Sequence, residues 1–220
     1  MKQDLVSRQF RIILLVLMTL VVLSAFAAYK ARPWHIRPVE SYPCRLTSEG
    51  VTIAIDVLYQ DPLAASIFDK NDMVTRGIMP VGIIIFNENN FPVSVEGGTI
   101  EVLWENERIH SLQPAEVVQR LFKKSGRNIF APPQSGPQLP KVDLPALEDF
   151  ERKFIQSKSI PAHDKGGGFI YLNVRDPKNI RDYFTNARMY IPDVTREDTG
   201  SKMIYFEVEL KPIFEASKDK

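Results

Sequence analysis

Cysteine is nearly absent: Cys44 is the only one in the 220-residue chain, which excludes an internal disulfide. Histidine is scarce too. His35, His110 and His163 are far apart, so no i,i+4 pair exists to hold a metal on a helix. There is no Gly-x-Ser-x-Gly elbow, no Asn-x-Ser/Thr sequon and no internal repeat. A charge excess is also missing. Lys and Arg number 28 against 27 Asp and Glu. Three of those bases and one of those acids precede Ala28, which leaves 25 against 26 beyond it. A neutral domain lacks the positive field that nucleic acid requires, so no nucleic-acid partner is expected.

What the chain does have is one long apolar run, Ile12–Ala28, broken only by Thr19 and Ser24 and preceded by Lys2, Arg8 and Arg11. As a helix it would extend about 26 Å at ~1.5 Å per residue, short but sufficient for a membrane span. It also has the parts of a signal peptide, with Ala25 and Ala27 around Phe26 as an A-x-A site. Its length, and Lys30, Arg32 and Arg37 just past the site, favour an uncleaved anchor over a cleaved leader. A short basic N-terminus usually stays inside, which puts the domain on the outer side. Lipidation at Cys44 is rejected, because Tyr42-Pro43 precede it and it lies too far along. With neither disulfides nor sequons, a bacterial envelope is the better fit. Cys44 itself is expected to be a small packed side chain.

Residues 1–30 are thus read as signal-anchor or signal peptide, and 31–50 as an extended stem with Pro33, Pro38 and Pro43. A single β-sandwich domain is expected over 51–215, then a loose tail, 216–220. Val51–Val57 alternates as a half-buried strand should. Asp61-Pro62 predicts the start of a short helix over Leu63–Asp69. Met79–Phe86 is a continuous β-branched run suited to a central strand, followed by the turn cluster Asn87–Asn90 and a strand over Phe91–Glu96. Ile100–Trp104 and Arg108–Leu112 read as a hairpin.

Beyond the hairpin, Val117, Val118, Leu121 and Phe122 mark one helix face, and Leu147, Phe150, Phe154 and Ile155 another. Between them, 131–145 carries five prolines and reads as a mobile insertion, a candidate partner contact. Gly166–Gly168 leads into a strand over Phe169–Val174, and Asp176-Pro177 into a helix reaching Asn186. Met189–Ile191 and Met203–Leu210 close the strand set. Such succession is the pattern of an antiparallel sandwich with short helices, mostly β within an α+β class.

Candidate chemistry is thin. Gly166-Gly167-Gly168 precedes a strand rather than opening a helix and no Lys-Ser/Thr follows, so it is read as a loop and not a phosphate cradle. Asp69-Lys70-Asn71-Asp72 starts like a calcium loop, but Met73 and Val74 stand where a ligand and a glycine belong. His110-Ser111 and His163-Asp164 are only sequence neighbours. No catalytic, cofactor or metal residue is assigned.

The segment Ile78–Val93, an apolar strand, an Asn-rich turn and a Phe-Pro-Val strand, resembles the Asn-Pro-Asn region of water-stress WHy domains of the late-embryogenesis-abundant type. The match covers some 20 residues, with Glu88 in place of the family's proline. The same segment, with Phe68-Asp69 ahead of it, resembles uncharacterised exported bacterial proteins. The resemblance implies an immunoglobulin-like sandwich and export, but no reaction. The expectation is therefore an exported, membrane-tethered sandwich in a bacterial envelope, an interaction or structural module with no enzyme activity. Its expected partners are the membrane, through the N-terminal helix, and an envelope protein. The alternatives are an envelope hydrolase with His110 or His163 as base, and a stress-protective or small apolar ligand-binding domain.

Overall fold

The structure is a computed structural model that describes residues 29–122 and 143–215. The apolar run 12–28, the insertion up to residue 142 and the tail 216–220 lie outside the described residues. The chain divides after Lys30, and the unit beginning at Ala31 is mostly β. Among the described residues no helix is long and apolar enough to cross a membrane.

Among the described residues, twelve strands form three four-stranded antiparallel sheets. The first holds β1 (Cys44–Ser48), β2 (Val51–Val57), β3 (Ile78–Asn87) and β8 (Lys165–Asn173), in that order. The second runs β11 (Ser201–Lys202), β10 (Val194–Arg196), β4 (Val93–Glu96), β7 (Ser157–Ile160). The third runs β12 (Phe206–Glu209), β9 (Arg188–Ile191), β5 (Glu101–Trp104), β6 (Glu107–His110).

The second and third sheets are two halves of one layer. β9–β10 and β11–β12 keep a single register from Ile191↔Phe206 to Thr195↔Lys202, and the Met203 N–H donates to Val194 O at 2.8 Å between them. On the other side, Val95↔Val194 and Glu101↔Tyr190 are six residues apart on one strand and four on its partner. The 3-10 turn Gly97–Thr99 takes up the two extra residues and bends the layer. The immunoglobulin-like sandwich expected from the sequence would show two sheets. Here ladder hydrogen bonding lapses at the bend and three are formed.

β2 and β3 are buried on both faces; this explains the unbroken apolar run of β3, and it corrects the half-buried reading of β2, whose Thr52, Ala54 and Asp56 face is covered as well. One face carries Ile53, Ile55, Ile83 and Ile85, and Ile160 of β7 reaches it beside Gly166. The other carries Ala54, Asp56, Gly82, Ile84 and Phe86. Tyr42, Trp34 and Ile36 pack there, and the Trp34 ring lies 4.6 Å from that of Phe169. Phe68, Phe150 and Tyr171 continue this face as a buried aromatic cluster. Each such side chain contributes about 1.5–3 kcal/mol by leaving water.

The residues expected as a stem therefore have a different place. Residues 31–42 are largely extended, as the prolines predict, but lie on the sheet as a strap. Cys44–Ser48 is already a strand, turned into β2 by Glu49 and Gly50 at φ 47° and 71°. Positive φ at both positions is the tight-hairpin conformation.

The helices are short: α1 (Asp61–Ala65), α2 (Pro114–Phe122), α3 (Leu144–Lys153), α4 (Ile180–Phe184) and α5 (Lys211–Glu215). Helix α2 buries Val117, Val118 and Leu121, the face read from the sequence. Helix α3 starts inside the range assigned to the insertion, because the Asp143 carboxylate accepts from the Ala146 N–H and caps it. Phe154 and Ile155 are past its end. Phe154 bridges Phe169 of β8, and three residues on, at Ser157, the chain is paired to β4, so this segment switches layers.

Candidate functional site

The strap leaves one half-lined cleft where it crosses the end of β2. Pro33, Trp34, His35 and Arg37 form one wall; Asp56 and Leu58, then Leu63, Ser66 and Ile67 around α1, form the other. Its volume is about 260 Å³. The strap is fixed on either side. Arg32 donates to Ala65 O and pairs with Asp69 at 2.7 Å. Arg37 pairs with Asp56 at 3.1 Å and lies 4.7 Å from the Tyr42 ring centroid. The Tyr42 hydroxyl accepts the Arg37 N–H at 3.0 Å.

Asp56 is the chemically distinctive group. It interrupts an otherwise apolar or small strand and sits opposite Gly82, where no side chain screens it. Burial pushes its carboxyl above the usual range, and the Arg37 guanidinium beside it offsets this only in part. From the sequence, Arg32 and Arg37 read only as bases past the leader and Pro33 as part of a spacer, and Trp34 and Asp56 carry no assigned role. The available signal was Asp56 itself, an acid in a strand that is otherwise covered.

The sequence candidates have structural roles. His163 stands at φ 56°, and its Nε2 is 2.7 Å from Asn90 Oδ1. Asp164 accepts from the Lys165 N–H at 2.8 Å, not from the histidine. His110 is exposed, with Nδ1 3.4 Å from Glu101 Oε1. The Ser111 hydroxyl accepts the Tyr171 N–H at 3.0 Å and donates to Leu112 O at 2.9 Å, tying this segment to β8. These are not the contacts of a nucleophile and its base.

In the calcium-like segment, Asp69 faces Arg32 while Asp72 meets Lys70 and Arg76, each at 2.7 Å. Bases already occupy these carboxylates. Among the described residues no group of His, Cys, Asp and Glu could hold a metal.

The glycine run is a correction to the loop reading. All three residues lie within β8 and are needed for close approach. A Cβ on Gly168 would stand 2.9 Å from the Ile155 backbone, and one on Gly166 2.5 Å from Ile160 Cδ1.

The Asn-rich turn is a fastening. Buried Asn87 donates from Nδ2 to Phe91 O at 2.8 Å, Pro161 O at 3.0 Å and Ile160 O at 3.2 Å, and accepts the Asn89 N–H at 3.1 Å. Asn89 Nδ2 donates to Glu49 O at 2.9 Å. The open hollow beside it is lined by Phe86, Asn87, Glu88, His163, Asp164 and Lys165, of which the Asn87, His163 and Asp164 side chains already bond Phe91 O, Asn90 and the Lys165 N–H.

Cys44 is buried, and its Sγ lies 3.5 Å from Leu210 O.

No family model matches the chain, and no curated protein matches it. Among solved structures it is similar to the crystal structure of "a putative lipoprotein (ycdA)" from Bacillus subtilis, at 10% identity and a TM-score of 0.38. The match covers 81% of this chain and 42% of that one, so the chain spans less than half of that protein's length. So low a TM-score carries no argument about fold or function. The likeness of Ile78–Val93 to water-stress domains rests on those residues alone.

Proposed function

We propose that this chain is an exported protein of a bacterial envelope, an immunoglobulin-like sandwich held at the membrane by its uncleaved segment 12–28. It works outside the membrane as an interaction or structural module rather than as an enzyme. An envelope protein is its partner, and it has no dealings with nucleic acid. The observation that carries this reading is the basic-then-apolar leader followed within a few residues by a docked strap.

The bases past the leader acquire a folding role. Arg32 and Arg37 are matched by Asp69 and Asp56. A domain carrying them is therefore compatible with the outer side, and the length of the apolar run is the feature that favours an uncleaved segment. The antiparallel two-layer strand plan supports the immunoglobulin-like description. Against the hydrolase alternative stand the contacts of His110, His163 and Ser111.

Protease treatment of cells tests the topology. The domain should be protected in intact cells and digested once the outer layer is opened. Protection that persists in spheroplasts until the inner membrane is lysed would place the domain inside and end this reading.

A further inference from the structure

We propose that the strap cleft binds a small organic cation, whose charge replaces the Arg37 guanidinium beside Asp56 and whose apolar part lies against Trp34, Leu58, Leu63 and Ile67. The inference does not depend on the envelope reading, because it rests on the cleft alone.

Four observations select this ligand class. The first is an imbalance of exposure. The Asp56 side chain is 19% exposed while that of Arg37 is 51% exposed. The acid is fixed in the sheet, whereas the base reaches in from the strap through one 3.1 Å contact rather than a two-pronged one. Such a partner can leave Asp56 while the Arg32–Asp69 pair and the Arg37 N–H on the Tyr42 hydroxyl still fasten the strap.

The second is electrostatic. Burial outweighs Arg37 in setting the Asp56 carboxyl, so the site supplies less positive charge than the carboxylate can use. A bound cation makes up that shortfall, while an anion would face Asp56 directly.

The third is the aromatic wall. Trp34 lines the same cleft, held in place by Phe169, and an indole is the best aromatic partner for an ammonium group. Leu58, Leu63 and Ile67 supply apolar contact beside it. The fourth is size. About 260 Å³ is below the usual range for drug-sized ligands and suits an ammonium with a few carbons. His35 and Ser66 complete the polar lining.

Isothermal titration of the full-length protein in detergent micelles tests this with four probes: choline, n-butylammonium, the neutral choline isostere 3,3-dimethylbutanol, and butyrate. The two cations should bind saturably at one site, and the neutral and anionic probes should not. Asp56→Asn, which keeps shape, should weaken cation binding by about tenfold or more. Trp34→Leu should weaken it several-fold. Arg37→Ala should tighten it, because it removes the competitor for Asp56.

Any of several results would overturn the proposal. These are no cation binding up to roughly 10 mM, equal binding of the neutral isostere, unchanged binding in Asp56→Asn, or weaker binding in Arg37→Ala with an unaltered near-ultraviolet circular dichroism spectrum. Should Asp56→Asn misfold, the sign of the Arg37→Ala effect decides alone.

Discussion

Lys153 and Asp149 are both buried on α3, with Nζ 2.6 Å from Oδ2. The ammonium also donates to Ile67 O at 2.9 Å and lies 4.9 Å from the Phe68 ring centroid. Burial pushes the lysine below its ordinary value of 10.5, and Asp149 restores part of the shift. The cost of burying the charge is therefore fully present at neutral pH and fades as pH rises through the lowered value towards 10.5. Asp149→Ala leaves that charge unpaired and should destabilise the fold by about 3–5 kcal/mol in urea unfolding. The paired change Asp149→Leu with Lys153→Met should cost less than the single one. Cys44 makes a second prediction at this scale. Burial pushes its thiol up from 9.0 to about 11, so its cost appears only above pH 9.0. At pH 8 the native protein should resist a disulfide-exchange reagent, and urea should expose one reactive thiol.

Among the elements, the bend in the second layer is the most constrained. A Cβ on Gly97 would stand 1.9 Å from Ile155 O, while one on Gly98 meets only Glu96 Oε1 at 3.7 Å. Gly97→Ala should lower stability by about 1–3 kcal/mol or force the crossing segment to shift. Gly98→Ala should be neutral, or stabilising by about 0.4–1 kcal/mol. Thermal melts of the two variants provide the check. The same contrast shows what the sequence could and could not reveal. Val51–Val57 and the β5–β6 hairpin were readable because period and turn residues agree there. β7, with Ser157, Lys158 and Ser159 exposed, has no apolar alternation to read. β1 was hidden because Glu49-Gly50 is a weaker hairpin signal than Asn-Gly, and Pro43 stands just before it. The triglycine run looked like a loop because the need for bare backbone arises from tertiary approach, by Ile83 of the distant β3 at Gly167 and by the crossing segment at Ile155 and Ile160 on either side. The cleft was invisible for a similar reason: Trp34, Arg37 and Asp56 meet only after the strap folds back.

For the molecule as a whole, the strap changes how the N-terminal region is understood. The segment read as a free spacer supplies Tyr42, Trp34 and Ile36 to one face of the central sheet. Residues 31–42 thus belong to the folding unit that follows them. Truncation within the strap should expose Ala54, Ile84 and Phe86 and destabilise the domain, a result that a free spacer would not produce. The proposed function requires that this folded unit is carried into the envelope on an uncleaved apolar segment. Mass mapping of the N-terminal peptides of protein recovered from carbonate-washed cell membranes tests it most directly. Peptides containing residues 12–28 should remain on the membrane-bound protein; a mature N-terminus at Ala28, with the protein released into the soluble fraction, would rule out the tether.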